Sequence, residues 1–483
     1  MKPFTYFLLL IHLPLPFDLF GVRPNIIFLF ADDIRAEAIF EIEGDEVSTP
    51  NLDRLGRQGI RFTNAYSMGA LSAPVCQASR AMVLTGRGVF EQEHRGMRIP
   101  ERMTTLPEAL RASGYQTFIS GKWHNDSDSL YRSFQRGGTI IGNPKPHQWE
   151  FSARNFETRK GFQYQGIHST DLIVNEAIEF MDASPKEDPF FIYLAFSAAH
   201  WPWEAPWRWM SQYDPKDMDL TDSFRGRHPF NNGELGSNGS TTEVKYIPFP
   251  RDPAKVKEIM AAHYAMISHM DDAIGRLMEA LQKRSLLQNT IVVFSADNGL
   301  GLGQHGLLGK QNIYECGVRV PLLMAGPGVS GKQTSEALVY LYDIYPTLCD
   351  LVEVETPESV TGKSLKPVID GGQQSVRDSL LIVYKNYMRG FRMGPWKLHQ
   401  YHVRGDRNEL LFNVEDDPIE NRNLADDERY ASVMRNLKQV MQKRMKELGD
   451  GVILDAPDWG VEEIPEHPIE LEYWKKLEGK TQG

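Results

Sequence analysis

Cysteine is scarce in this 483-residue chain: Cys76, Cys316 and Cys349 are the only three. So few thiols exclude a disulfide framework. At most Cys316 and Cys349 pair, which leaves Cys76 over. Excess positive charge is missing as well. Lys and Arg total 53 against 64 Asp and Glu, a net charge of −11, which excludes a broad nucleic-acid surface. An anionic ligand therefore needs positive charge gathered in one place. Internal repeats are lacking, and so are long hydrophobic runs after the N-terminus. In residues 1–20, Lys2 precedes an apolar run from Phe4 to about Leu15. That is the layout of a signal peptide, and the run is too short and too proline-broken to span a membrane. Export without lasting membrane insertion is the expectation, with a packed or disordered N-terminal arm as the alternative.

What is present reads as a globular protein, 41% hydrophobic and 24% charged. Its length fits one large domain plus a smaller one. Short continuous apolar runs at Ile26–Phe30, Thr117–Ser120, Phe190–Phe196, Thr290–Phe294 and Val320–Met324 predict strands covered on both faces. Helical patterns lie between them, at Leu106–Ser113, at Leu172–Ala183 and after Asp252, where Pro253 takes the first helical position. The alternation predicts an α/β fold with a large, mostly parallel or mixed sheet sandwiched by helices. The stretch NNGELGSNGSTT within 221–245 reads as a surface insertion. After about Val368 the style changes. Strands are expected at Leu380–Tyr384, Trp396–Tyr401 and Glu409–Val414, and a helix over Asp427–Leu448. The predicted division is a catalytic domain over 22–368 and a small α+β C-terminal subdomain, with an antiparallel sheet and a tail, over 369–483.

Ligands of open parallel sheets bind beyond the carboxyl ends of strands, and those positions are loaded here. The predicted strands run into Asp32-Asp33, into Lys122-Trp123-His124, into His200 and into Asp297-Asn298. One Asp-Asp or Asp-Asn-Gly after a strand is ordinarily a turn. Four such endings together predict a polar rim. Asp32, Asp33, Asp297 and Asn298 are hard oxygen donors suited to Ca²⁺ or Mg²⁺ rather than zinc.

Cys76 sits in Ser72-Ala73-Pro74-Val75-Cys76-Gln77-Ala78-Ser79-Arg80, followed by Leu84-Thr85-Gly86-Arg87. A free cysteine is commonly a small buried hydrophobe. A thiolate nucleophile needs a base, and the sequence leaves open whether His124 or His200 would be it. Arg80 suits an anion or an anionic nucleophile. The run Cys-Gln-Ala-Ser-Arg with its Leu-Thr-Gly-Arg tail resembles the sulfatase signature, Cys-x-Pro/Ala-Ser-Arg. The resemblance extends through Pro24-Asn25-Ile26-Ile27 to Asp32-Asp33, Thr49-Pro50-Asn51-Leu52-Asp53-Arg54-Leu55, Gly121-Lys122-Trp123-His124, His200-Trp201-Pro202 and Asp297-Asn298-Gly299. It continues through Gln304-His305-Gly306, Gly309-Lys310 and Leu411-Phe412-Asn413 to Asn423-Leu424.

The resemblance implies an alkaline-phosphatase-like fold and a formylglycine-dependent sulfatase. In that family the cysteine is oxidised after translation by a formylglycine-generating enzyme, and the aldehyde hydrate attacks sulfur. Carried over residue by residue, Asp32, Asp33, Asp297 and Asn298 would hold Ca²⁺, with Mg²⁺ as the alternative. Arg80 would hold the nucleophile, and Lys122, Lys310 and His200 would surround the sulfate. His200 or Lys310 would protonate the leaving alcohol, and His124 would take a proton from the hydrate. Ala78 stands where proline is commoner, which leaves the maturation system open. A sulfated saccharide is the expected substrate, with a simple aryl or alkyl sulfate as the alternative. Trp201, Trp203, Trp207 and Trp209 beside His200 read either as a sugar-facing wall or as a packed loop, and His305 either as a substrate contact or as a structural histidine. Phosphate or phosphonate ester hydrolysis, or binding without catalysis, are the rival readings.

Overall fold

The computed structural model describes residues 23–39, 47–72, 75–142, 147–185, 188–233, 247, 249–329, 331–403, 405–456 and 459. The signal-peptide reading of 1–20, most of the Gly-rich insertion and most of the tail lie outside them.

The five apolar runs form the middle of an eleven-stranded mixed sheet. In chain order the strands that build it first are β1 (Asn25–Ala31), β2 (Ile60–Tyr66), β4 (Gln116–Lys122), β5 (Arg136–Ile141), β6 (Glu150–Asn155), β7 (Gly161–Gln165) and β8 (Phe190–Ala195). They are joined by β9 (Thr290–Ala296), β12 (Arg319–Ala325), β13 (Gln333–Ser335) and β14 (Val339–Tyr340). The short β3 (Gly69–Ala70) belongs elsewhere, and β10 (Gly301–Leu302) pairs only with β11 (Leu308–Gly309). Spatial order is β13-β2-β12-β9-β1-β8-β4-β5-β6-β7, with β14 beside β2.

Every residue of β1, β8 and β9 is buried, which is why these strands read as continuous apolar runs. The run at Val320–Met324 is β12, and it lies antiparallel to β9 and β2. A continuous apolar run reports burial on both faces and is silent on strand direction.

Helices cover the sheet. The longest, Pro253–Lys283, begins where the Asp252 carboxylate accepts a 2.9 Å hydrogen bond from the Ala254 amide. We expect Asp252→Ala to cost about 1 kcal/mol in equilibrium denaturation. An unchanged midpoint would show that Pro253 and packing alone fix this helix end.

The C-terminal region forms a second sheet from β15 (Ser379–Tyr384), β16 (Met388–Met393), β17 (Trp396–Val403) and β18 (Asp406–Asn413), all antiparallel. Its fifth strand is β3, paired parallel to β15. Helix Ala431–Glu447 packs on it through Met434, Leu437, Met441 and Met445. A buried ion cluster ties the two sheets together. Lys397 on β17 lies 2.6 Å from Glu315 and 3.0 Å from Glu420, and His399 Nε2 lies 3.0 Å from Glu420. Glu315 also accepts from Tyr66 at 2.8 Å and faces Arg319 at 3.1 Å. All three cysteines are free and buried, so Cys316 and Cys349 are unpaired.

Candidate active site

Strand order decides where the polar endings meet. β9, β1, β8 and β4 are consecutive parallel neighbours, so their C-terminal ends open onto one rim. Two backbone bonds fix that rim. The Asp32 amide donates to Ala198 O at 2.9 Å, and the Asp297 amide donates to Ala31 O at 3.1 Å. Beyond β1 the chain turns sharply, with Asp33 at φ +60°, and beyond β4 His124 stands at φ +71°. Non-glycine residues are held there only where their surroundings over-determine them, and functional sites concentrate such strain.

The helix Val75–Thr85 points its first turn at the rim and buries every residue except Gln77. Cys76 and Arg80 are four residues apart, so both project from one helical face. The Cys76 thiol donates to Asp32 at 3.3 Å and accepts from the Lys310 ammonium at 2.6 Å. Arg80 reaches Asp297 at 3.0 Å, Asp32 at 3.4 Å and the Lys122 carbonyl at 3.0 Å. Lys122 pairs with Asp32. Lys310, delivered by the β10–β11 hairpin, pairs with Asp33 at 2.5 Å. His200 Nε2 lies 3.8 Å from Asp33. Asn298 donates its amide to Asp33 at 2.5 Å. His124 stands at the edge, with its backbone carbonyl accepting from Gln77 at 2.8 Å and its Nδ1 buried without a partner.

Three carboxylates thus face three cations in a nearly dry pocket, since Asp32, Arg80, Lys122, Asp297 and Asn298 are fully buried. Burial opposes ionisation of Asp32, yet Lys122, Lys310, His200 and Arg80 hold it well below the usual carboxylate range. Burial pushes Asp33 and Asp297 up to about 6, and the charge on Asp32 adds to both. Burial raises the Cys76 thiol well above its ordinary value, and Asp297 and Asp32 raise it further. His200 is lowered to about 3 by burial and then by Lys310 and Lys122. His124 is lowered by burial and Lys122. Both imidazoles are neutral at pH 7. Burial works against the Lys310 ammonium, but Asp33, Cys76 and Asp32 outweigh it and keep the amine protonated.

The donor set fits a divalent cation. Oxygens of Asp32, Asp33 and Asp297 and the Cys76 sulfur lie within 4.8 Å of one another. Asn298 Oδ1 is buried among them with no hydrogen-bond partner, a state that a hard cation would relieve. Cys76 Sγ stands among these carboxylate oxygens. As a thiol the residue is protonated and faces Lys310 rather than a histidine base.

All ten predicted residues converge on this rim, with His124 the most peripheral. Sequence reasoning missed His263. Its Nε2–H donates to the Asp33 carbonyl at 2.9 Å and supports the turn that aims that carboxylate. The available signal was a pair of histidines, His263 and His269, within the largely apolar stretch Met260–Met270. His305 stacks on Tyr314 with ring centroids 3.8 Å apart. The tryptophans divide: Trp203 and Trp209 pack against the core, while Trp207 is 80% exposed.

A buried nucleophile position set among carboxylates, lysines and an arginine defines a hydrolase of anionic esters. Residues 24–354 match the Sulfatase family, and residues 303–447 match N-sulphoglucosamine sulphohydrolase, C-terminal. The chain belongs to the sulfatase family and is a sulfuric ester hydrolase. It is 28% identical to an N-acetylglucosamine-6-O-sulfatase of Bacteroides thetaiotaomicron, across 89% of this chain and 87% of the relative. It is 27% identical to an arylsulfatase of Clostridium perfringens, across 89% and 96%. A solved structure in complex with its substrate, D-glucosamine-2-N,6-O-disulfate, superposes with a TM-score of 0.74 at 25% identity, covering 90% of this chain and 99% of that one. In fold alone the chain is also like a phosphonate monoester hydrolase of Silicibacter pomeroyi, with a TM-score of 0.72 at 20% identity across 89% and 97%. Among the described residues no helix is long and apolar enough to cross a membrane.

Proposed function

We propose that the chain removes a sulfate group from a sulfated saccharide, using a formylglycine made from Cys76 and a divalent cation, Ca²⁺ or else Mg²⁺. The observation that carries this reading is the Cys76 Sγ position, which faces Asp32 and lies 2.6 Å from Lys310, on a rim with an unpartnered Asn298 oxygen. Asp32, Asp33, Asp297 and Asn298 would hold the cation, which when bound would polarise the sulfate and favour the deprotonated hydrate.

The chain's own groups do the rest. Arg80 fixes the nucleophile through the helical face it shares with Cys76. One hydrate oxygen attacks sulfur, the S–O bond to the sugar breaks, and the alcohol leaves with a proton. Lys310 or His200 gives the leaving alcohol its proton, and Lys122 stabilises the charge that develops. Neutral His124 then accepts the proton of the second hydrate hydroxyl, and sulfate departs as the aldehyde reforms.

A formylglycine-generating enzyme is the maturation partner. Residues 22–368 act as the catalytic domain and 369–483 as its C-terminal support. Residues 1–20 direct export to the periplasm, to the lysosome or out of the cell.

The test co-expresses the chain with a formylglycine-generating enzyme, supplies Ca²⁺, and compares sulfate release from 6-O-sulfated N-acetylglucosamine with phosphate release from the matched phosphate ester. We expect sulfate release that ceases in Cys76→Ala. Faster phosphate release would transfer the chain to phosphoester hydrolysis.

A further inference from the structure

We propose that Arg154 is a specificity-determining residue that selects substrates bearing a second anionic group on the sugar, beyond the sulfate that is removed. The inference rests on the sulfatase reading and deepens it.

A cavity of about 530 Å³ is lined by Gln77, which follows Cys76 in the chain, and by His124 of the candidate site. A sphere of that volume is roughly 10 Å across, within the size range of small-molecule sites. Ser152, Arg154 and Gly161, from strands β6 and β7, line it as well. A ligand filling it touches both His124 and Arg154.

Charge makes the cavity distinctive. In a chain of net charge −11, its lining contains no carboxylate among the described residues, and Arg154 is the one permanently charged side chain among them. Arg154 donates through Nη1 to Ser127 at 3.2 Å and pairs with no carboxylate among the described residues. Arg136, in the same region, by contrast pairs with Glu157 at 3.0 Å. An exposed guanidinium without a carboxylate partner among the described residues, at the edge of a cavity that also offers apolar surface from Trp123, Leu130 and Ile140, is suited to a sulfate or carboxylate held by paired hydrogen bonds. Space is kept for it. Gly161 is the register partner of Arg154, and a Cβ added there would meet only Ala153 O, at 3.8 Å. Packing therefore does not demand glycine at 161, while its missing side chain leaves the cavity open beside Arg154.

The test uses matured, metal-loaded enzyme on sulfated glucosamine derivatives of two kinds. One set compares a single sulfate with two sulfates on the ring. The other compares a neutral adjoining sugar with a uronic acid. Wild-type enzyme should show a KM about tenfold lower for at least one doubly anionic member than for its singly charged counterpart. Arg154→Gln should erase that difference with kcat unchanged and the singly charged KM within about twofold. Arg154→Lys should restore part of it, because charge survives and bidentate geometry does not. Gly161→Leu should raise KM for every saccharide and spare a small aryl sulfate. Which set responds to Arg154→Gln identifies the second group as sulfate or carboxylate. Equal wild-type KM values for both members of both sets, or an equal effect of Arg154→Gln on both, overturn the inference and leave the sulfatase reading standing. Absence of sulfate release from aryl sulfate and saccharides alike overturns that reading itself.

Discussion

Arg80→Ala should abolish turnover and, in chelator, lower folding stability by about 3–5 kcal/mol. The guanidinium is completely buried against Asp297 and Asp32, so its removal strands Asp297 in a dry site and leaves Asp32 to the lysines alone. Both activity and stability should respond because one side chain balances the charge of the rim and, on the same helical face, aims residue 76. Arg80→Lys should recover part of the stability and little of the activity, since an ammonium cannot span Asp297, Asp32 and the Lys122 carbonyl together. Added Ca²⁺ should return part of the lost stability to Arg80→Ala, as a bound cation takes over compensation of the same carboxylates. Chemical denaturation with and without Ca²⁺ measures this. A variant that is as stable as the parent in chelator would contradict the charge balance described here.

Lys397→Met should cost a similar amount, about 3–5 kcal/mol, without touching the reacting groups. Lys397 is fully buried between Glu315 and Glu420, and Glu420 also accepts from the Glu315 amide at 2.5 Å. Its pH dependence has a definite sign. Burial opposes ionisation of Glu420, but Lys397 and His399 outweigh it and lower the carboxyl to about 2. A carboxyl lowered from its ordinary value near 4.5 contributes stability above that value and loses it as pH falls towards 2. The parent should therefore weaken over that window. Lys397→Met should lose this acid sensitivity, because its stranded carboxylates gain by protonation. Denaturation midpoints between pH 7 and pH 3 test it, and parallel curves for the two proteins would refute it.

Much of the site was legible because parallel neighbours place strand ends together. Asp32, Lys122, His200 and Asp297 each end a buried apolar run, and β9-β1-β8-β4 turn out to be adjacent. Lys310 was legible only through family resemblance, since the two-residue strands that carry it have no periodicity to read. The pairing of β3 with β15 was hidden for the same reason. Strand β16, Met-Arg-Gly-Phe-Arg-Met, lacks an apolar pattern because its arginines are themselves buried, and Arg389 is neutralised by Asp450 at 2.6 Å. A charged residue buried by pairing looks in sequence like one facing water. His263 was missed because a histidine on a buried helical face usually reports packing, and only the Asp33 carbonyl opposite it reveals a supporting role.

The central claim is that Cys76 acts as formylglycine, and one measurement addresses it most directly. Batches of protein matured to different extents are assayed for sulfate release, and the peptide containing Cys76 is quantified by mass spectrometry as thiol or aldehyde. The account predicts turnover proportional to the aldehyde fraction, with none at zero conversion and none in Cys76→Ala. Turnover that persists in fully unconverted protein, or that ignores the aldehyde fraction, would contradict it.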